Sequence, residues 1–208
     1  MSPDNPFLKA LLAQPDDDTL RLALADWLEE HDQPERAEII RVQVEMAWGV
    51  KDCVRRNELE LRQRHLLLAY EREWTRPIAD LLEFKPGEWR AWVFRRGFVE
   101  YFHLPAAVII RRGERLARLT PVRELFLRPC VCEDILALAK CPWLRLLTSL
   151  YLPDTVLIES AIQAVIKSPY LENLCVLDAV AEDVSEEAAE QFYKRFRRHL
   201  VRSPHYGR

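Results

Sequence analysis

The sequence predicts a mixed α/β fold in three parts: an N-terminal α-helical domain, a short α/β solenoid of strand–helix units and a C-terminal capping helix. Three observations predict it. Apolar residues recur with a helical period through the first ~85 residues. Four strand-like segments then follow one another at intervals of 23 to 27 residues. An amphipathic stretch rich in basic residues comes after the last of them.

The first two helices are marked by their starting residues. Asn5 followed by Pro6 is typical of a helix N-terminus and predicts a helix over 6–13. Asp17 or Asp18 begins the second helix, because a carboxylate there accepts hydrogen bonds from free backbone N–H groups. The second helix is expected to bury one apolar stripe, formed by Leu20, Ala23, Leu24, Trp27 and Leu28.

The helical pattern continues beyond these two helices. Pro34 marks a third helix start, and Gly49 interrupts the helix. Residues 50–83 keep the helical period among many charges, so they are expected to be helical as well. Pro86-Gly87 is a turn signal, after which aromatic and β-branched residues dominate. The sequence therefore predicts a helical domain over residues 1–85.

The strand-like segments share apolar residues at their first, fourth and sixth positions. They are VEYFHL (99–104), VRELFL (122–127), LTSLYL (147–152) and LCVLDA (174–179). Helix-like runs separate them, at 106–119, 133–141 and 158–168. L-x-x-L-x-L at this spacing is the strand signature of leucine-rich repeats. We expect a leucine-rich-repeat-like solenoid over 86–182, in which stacked units bury a core that no single unit could bury.

The turns and the end of the predicted stack also fit the repeat pattern. Nine places into the motif the repeat favours a side chain that bonds neighbouring backbone, and Cys130 and Thr155 stand there. Residues 183–208 are expected to form a capping helix, to about residue 200, and a basic tail. Asp183 with Glu186 is typical of a capping box. The apolar stripe of this helix would be Ala188, Phe192, Phe196 and Leu200.

The location of the protein is predicted from cysteine usage and from the lack of apolar segments. Five cysteines with no framework spacing are typical of reduced thiols in a cytoplasm. No run approaches the ~20 apolar residues that span a bilayer. The first residues lack the basic and apolar regions of a targeting peptide. We therefore expect a cytoplasmic protein without a membrane partner.

Residues 7–47, FLKALLAQPDDDTLRLALADWLEEHDQPERAEIIRVQVEMA, resemble the N-terminal repeat-companion domain of bacterial leucine-rich-repeat proteins. FRRGFVEYFHLP and LARLTPVRELFL are similar to the segment that links this domain to its repeats. The resemblance implies a helical domain followed by repeats, and it implies no reaction. The matching residues are Phe7, Pro15, Asp17, Asp18, Arg21, Leu22, Ala25, Asp26, Trp27, Leu28, Glu29, Glu30, Arg36, Ala37, Glu38, Ile40, Arg41 and Gln43.

The carboxylates near the N-terminus raise the question of an acid/base or metal site. We favour helix caps and ion pairs with Arg21, Arg36 or Arg41, because a metal site needs ligands that converge from several elements and only His31 stands nearby. The six carboxylates are Asp16, Asp17, Asp18, Asp26, Glu29 and Glu30.

No other pattern in the chain predicts chemistry. Cys130, Cys132 and Cys141 give C-x-C-x8-C, which is not a common zinc spacing. Motifs of nucleotide-binding loops, hydrolases and metalloproteases are missing. The sequence thus predicts a protein that is not an enzyme, with no catalytic, cofactor-binding or metal-binding residues.

The predicted strand faces supply the candidate binding residues. In a stack of this kind, residues between the leucines point to the concave side. Exposed aromatic residues flanked by polar groups are typical of protein-binding surfaces. Burial of this face by the helical domain is the alternative. We expect contacts with another protein at Tyr101, His103, Glu124, Phe126, Ser149, Tyr151 and Asp178.

The leading functional hypothesis is therefore a non-catalytic adaptor or scaffold for protein–protein interaction. The alternative is an accessory subunit of a nucleic-acid-handling or defence complex, because residues 192–208 hold six Lys/Arg and no acid. Against it, the net charge is −3, without a domain-wide basic footprint. The candidate phosphate contacts are Lys194, Arg195, Arg197, Arg198 and Arg202.

Overall fold

The structure, a computed structural model, describes residues 5–84, 92–182, 184–196 and 200–202. The predicted mixed α/β class is confirmed. Compactness divides the chain into two units. Unit 1 contains residues 1–100 and 115–121, and unit 2 contains residues 101–114 and 122–208. The predicted boundary near residue 86 and the Pro86-Gly87 turn lie outside the described residues, so they stay predictions.

The helices at the start of unit 1 begin where the sequence predicts. The Asn5 side chain accepts hydrogen bonds from the N–H groups of Phe7 and Leu8, and Asp17 caps the second helix in the same way. Most of residues 50–83 are helical as predicted, in two helices that are separated at Thr75, just before Pro77. The helices are α1 (Pro6–Ala13), α2 (Asp18–Glu30), α3 (Pro34–Ala47), α4 (Cys53–Trp74) and α5 (Arg76–Leu82).

The buried face of α2 differs from the predicted stripe. Leu24 and Leu28 are buried as expected, whereas Leu20, Ala23 and Trp27 are only partly buried. The buried face of α2 is rotated relative to the predicted stripe, because the charged residue Arg21 is buried on it. Its members are Arg21, Leu24, Ala25 and Leu28.

A tight hairpin completes the core of unit 1. Strand β1 (Trp92–Arg95) is joined to β2 (Phe98–Leu104) by the two residues Arg96 and Gly97. Both have positive φ, 46° and 85°, as a type I′ turn requires. This turn directs Phe98 into the core of the helices. The buried cluster consists of Leu8, Leu11, Leu24, Ala25, Leu28, Ala37, Ile40, Val44 and Phe98.

Unit 2 is built on a parallel sheet. The end of β2 pairs with β3, and the order continues to β6, each strand lying parallel to the one before it. The strands are β3 (Glu124–Leu127), β4 (Ser149–Leu157), β5 (Val176–Ala181) and β6 (Leu200–Arg202). The helices are α6 (Ala106–Leu116), which ends in unit 1, α7 (Cys132–Leu138), a 3₁₀ helix (Pro142–Leu146), α8 (Glu159–Lys167) and α9 (Glu186–Arg195).

Alternate strand residues of unit 2 form its core. Phe102, Leu125, Leu150 and Leu177 lie side by side in register and are at most 2% exposed. The next buried row is Leu104, Leu127, Leu152 and Ala179. Helices α7 and α8 contribute further buried apolar residues, among them Ile135 and Ile162. The apolar positions of the sequence pattern are therefore the core positions of the sheet.

The C-terminal helix is shorter than predicted. Helix α9 begins after Ser185, whose side chain accepts a hydrogen bond from the N–H of Ala188, and Asp183 lies outside the described residues. The backbone turns extended at Phe196. Leu200 is therefore not on the helical stripe, because it begins β6, which pairs with β5. Ala188, Phe192 and Phe196 are buried as the stripe predicts.

Candidate functional site

The residues predicted to bind a partner lie in two rows across the sheet of unit 2. Tyr101, Glu124, Ser149 and Val176 are paired from strand to strand. His103, Phe126, Tyr151 and Asp178 are paired in the same way. Because side chains alternate along a strand, both rows point to the face opposite the buried rows. We call these eight residues the row surface.

Exposure differs between members of the row surface. His103 and Asp178 are exposed, while Phe126 and Tyr151 are partly exposed. The His103 ring contacts the Phe126 ring edge-on, with 4.4 Å between their centroids. Ser149 is only 8% exposed and contributes little surface. Parallel strands lie about 4.8 Å apart, so four strands carry a surface roughly 15 Å wide.

Hydroxyl groups hold neighbouring strands of unit 2 at their ends. Thr148 Oγ1 donates to the carbonyl of Arg123 at 3.0 Å, before β4 begins. Thr155 Oγ1 donates to the carbonyl of Cys130 at 2.9 Å. Cys130 and Thr155 are the turn positions that the sequence pattern singled out, and Thr155 makes the predicted kind of bond. These bonds fix the position of β4 along β3, and hence the alignment of the rows on these two strands.

Three of the carboxylates near the N-terminus, Asp16, Asp17 and Asp18, form a helix cap and ion pairs in unit 1. Asp17 accepts the N–H groups of Thr19 and Leu20 as the α2 cap. Asp16 and Asp18 lie 3.5 and 3.6 Å from guanidinium nitrogens of Arg96. Asp17 therefore caps α2, and Asp16 and Asp18 are ion-pair partners of Arg96.

Arg21, Arg96 and Glu100 form a buried ionic network in unit 1. The Arg21 guanidinium donates to the carbonyls of Pro15 and Arg96 and to Glu100 Oε1. Arg96 lies 3.4 Å from the other Glu100 oxygen. Burial raises the pKa of the Glu100 carboxyl, and the two guanidiniums oppose this shift. The network joins α2 to the hairpin within unit 1.

Two further acids of α2, Asp26 and Glu29, are paired on the surface, and Glu30 is exposed. Arg41 Nη2 lies 2.7 Å from Asp26 and 2.6 Å from Glu29, the helix-to-helix pairing that the sequence predicts. The expected pairing of these acids with Arg36 is wrong, because the Arg36 side chain packs among aromatic rings instead. Within the described part of the chain, no group of acids, histidines and cysteines is arranged to hold a metal ion.

The cysteines have separate environments. Cys130 is buried, and burial raises the pKa of its thiol to about 12. Cys132 donates to the Val156 carbonyl and Cys141 to the Ala137 carbonyl. The Cys132 and Cys141 thiols of the C-x-C-x8-C pattern therefore contact different backbone carbonyls.

Of the candidate phosphate contacts, only Lys194 and Arg195 have described side chains. Arg195 donates to the carbonyls of Val165, Ile166 and Leu171 in unit 2. Its guanidinium thereby caps the C-terminal end of α8, where free carbonyls accumulate. Arg197, Arg198 and the side chain of Arg202 lie outside the described residues.

Sequence reasoning missed an aromatic enclosure around Arg36 in unit 1. The guanidinium carbon lies 5.0 Å from the Trp74 ring centroid, 5.1 Å from that of Phe98 and 5.7 Å from that of Phe94. These rings come from α4, β2 and β1, and no spacing along the chain brings them together. The same four residues line a cavity of about 110 Å³.

Within the described residues, no helix is long and apolar enough to cross a membrane. No protein-family model matches the chain, and comparisons with curated proteins and with solved structures give no match either. The resemblance to the repeat-companion domain therefore stays an interpretation of the sequence pattern.

Proposed function

We propose that the protein is a cytoplasmic, non-catalytic adaptor that binds another protein through the row surface. In this proposal the strands of unit 2 belong to a short leucine-rich-repeat-like stack of the kind found with repeat-companion domains. The observation that carries it is the register of the two rows, which places His103, Phe126, Tyr151 and Asp178 side by side on adjacent strands.

The composition of the row surface supports a polypeptide partner. Aromatic side chains held on a rigid sheet offer large contact area at low entropic cost, and they are enriched among the residues that dominate binding energy. The His103–Phe126 edge contact orders both rings before binding. The exposed acid Asp178, which is paired with Tyr151 on the neighbouring strand, complements basic groups. We therefore expect the partner segment to carry apolar and basic side chains.

A comparative affinity purification tests the proposal. The full chain and the variant Phe126→Ala plus Tyr151→Ala are used as baits in the native host, followed by quantitative mass spectrometry. Tyr193→Ala is the matched control, because Tyr193 is an exposed aromatic on α9 and not a member of the rows. We expect at least one protein captured by the wild type and the control to be lost from the double variant. Retention of every captured protein would exclude the row surface.

A charge change then separates lost contact from lost folding. Asp178 is exposed on β5, so Asp178→Lys leaves the core rows intact. With the purified partner we expect the dissociation constant to rise about tenfold, since a like charge then faces the basic segment. An unchanged constant at low salt, with unchanged unfolding temperature, contradicts the proposed contact.

A further inference from the structure

Arg36 in unit 1 is a buried charge with unused hydrogen-bond donors. Part of its side chain is exposed, but the Nη1 atom is inaccessible to solvent and has no hydrogen-bond partner. Among the described residues, no carboxylate forms an ion pair with it. Leaving such a donor unsatisfied in a buried site costs free energy, and more so for a charged group than for a neutral one.

The aromatic rings offset only part of this cost. Trp74, Phe94 and Phe98 present rings to the guanidinium at 5.0 to 5.7 Å, within the range of cation–π attraction. Ring contacts stabilise the positive charge but do not replace hydrogen-bond acceptors for the N–H groups. Burial lowers the pKa of Arg36 to about 10, so the group still carries its charge at neutral pH.

The start of α3 adds positive potential to the same cavity. Gln33, the N-cap of α3, lines the cavity and makes no side-chain capping bond. The first N–H groups of a helix lack intrahelical partners, and the helix dipole places partial positive charge there. A guanidinium and a 14-residue helix thus both favour an anion at this place.

We propose that this cavity binds a small monocarboxylate with a short branched apolar body. The negative charge of a carboxylate offsets the Arg36 cation, and its oxygens accept N–H bonds from the part of the guanidinium that lines the cavity. Leu8, Ile78 and Leu119 line the cavity and suit the alkyl part. A volume of about 110 Å³ holds a few heavy atoms and is too small for a nucleotide or a drug-sized ligand.

The lining favours a carboxylate over inorganic phosphate. Glu73 is an exposed residue of the lining and repels a dianion more strongly than a monoanion. A compact dianion would also lose its hydration shell in the cavity, and the apolar walls offer no hydrogen bonds to replace it. A branched carboxylate loses less hydration and gains burial of its alkyl group.

Ligand binding is tested with the full chain by calorimetry and thermal unfolding at constant ionic strength. The probes are isobutyrate, its neutral amide isobutyramide, acetate and inorganic phosphate. We expect isobutyrate to raise the unfolding temperature and to bind more tightly than acetate, because it fills more of the cavity. Isobutyramide and phosphate are expected to have no effect. Equal shifts with phosphate and isobutyrate would indicate a general anion effect and overturn the proposal.

Three variants locate the binding. Arg36→Met removes the charge, and Arg36→Lys keeps the charge but not the planar fork. Arg41→Met is the matched control on the same helix, since Arg41 pairs with Asp26 and Glu29 on the surface. Isobutyrate affinity is expected to fall at least tenfold in both Arg36 variants and to stay unchanged in Arg41→Met. Equal affinity in the wild type and in folded Arg36→Lys would overturn the proposal.

A spectroscopic readout connects the ligand directly to the side chain. In protein labelled with ¹⁵N-arginine, isobutyrate is expected to shift the guanidinium resonances of Arg36 and to leave those of Arg41 in place. N-acetylglycylvaline presents a similar branched carboxylate at a chain terminus. If the dipeptide binds more tightly than isobutyrate, the natural ligand is a peptide C-terminus. If isobutyrate binds more tightly, the natural ligand is a free acid. If no probe changes the chemical shifts of the Arg36 guanidinium, the proposal that this cavity binds a carboxylate is overturned.

Discussion

Arg21 Nη2 lies 2.6 Å from Glu100 Oε1, and the two side chains are 0% and 4% exposed. This pair links α2 to the second strand of the hairpin inside unit 1. Charges this deeply buried are stable only together, because each alone would lose its hydration without compensation.

Removal of one member of this pair is expected to destabilise unit 1 strongly. Arg21→Met leaves the Glu100 carboxylate buried beside Arg96 alone, and we expect a loss of roughly 3–5 kcal/mol in the free energy of unfolding. Urea denaturation measures it. The double variant Arg21→Met plus Glu100→Leu is expected to recover part of the loss, since it removes both charges. A double variant that is less stable than Arg21→Met would contradict this account.

Two glycines with nearly the same φ separate backbone strain from steric overlap. Gly97 and Gly49 have φ of 85° and 83°. A Cβ at Gly97 would overlap Ile40, whereas nothing lies within 4 Å of one at Gly49. Gly49→Ala is expected to cost about 1–2 kcal/mol for the left-handed conformation. Gly97→Ala should cost about 1–3 kcal/mol more because of overpacking. Equal unfolding free energies of the two variants would refute the predicted overlap.

Thiol labelling is expected to follow burial. Since the pKa of Cys130 is raised to about 12, its thiolate fraction at pH 8 is roughly one in ten thousand. Cys53 and Cys175 are exposed. We expect iodoacetamide at pH 8 to modify these two first, and Cys130 only after unfolding, as read by peptide mass spectrometry. Labelling of native Cys130 as fast as Cys175 would be inconsistent with its burial.

The hydroxyl bond of Thr155 is expected to stabilise unit 2. Thr155→Val keeps the shape but removes the donor to the Cys130 carbonyl, which should cost about 1–3 kcal/mol. Thr155→Ser keeps the hydroxyl and is the control, with the smaller loss expected from one methyl group. Thermal unfolding of both variants provides the comparison. If serine proves as destabilising as valine, packing rather than the hydrogen bond holds this turn.

Local signals were enough to predict the starts of the first helices and the row register. Asn5 and Asp17 cap helices because their short side chains reach N–H groups two residues on, which depends only on nearby sequence. The rows follow from strand alternation and from the alignment of the four segments on their apolar positions. Position 103 therefore meets position 126, as the aligned segments predict.

Features that depend on distant residues could not be predicted. Arg21 is buried because it pairs with Glu100, 79 residues away. The helical period of the apolar residues cannot reveal this pair, so it predicts a buried α2 face of apolar residues alone. The aromatic enclosure of Arg36 joins rings from three elements. Leu200 fits a helical stripe, but pairing with β5 overrides that local preference. In each case tertiary contacts outweigh the local pattern.

The hydroxyl bonds of unit 2 also bear on how such a chain could grow. Thr148 bonds Arg123 and Thr155 bonds Cys130, and both pairs are 25 residues apart. In a tandem duplication of residues 123–147, Thr148 and Thr155 would keep acceptors 25 residues before them. The new strand itself would carry arginine and cysteine at the two donor positions, so a hydroxyl would have to be introduced at each for the same bonds to form.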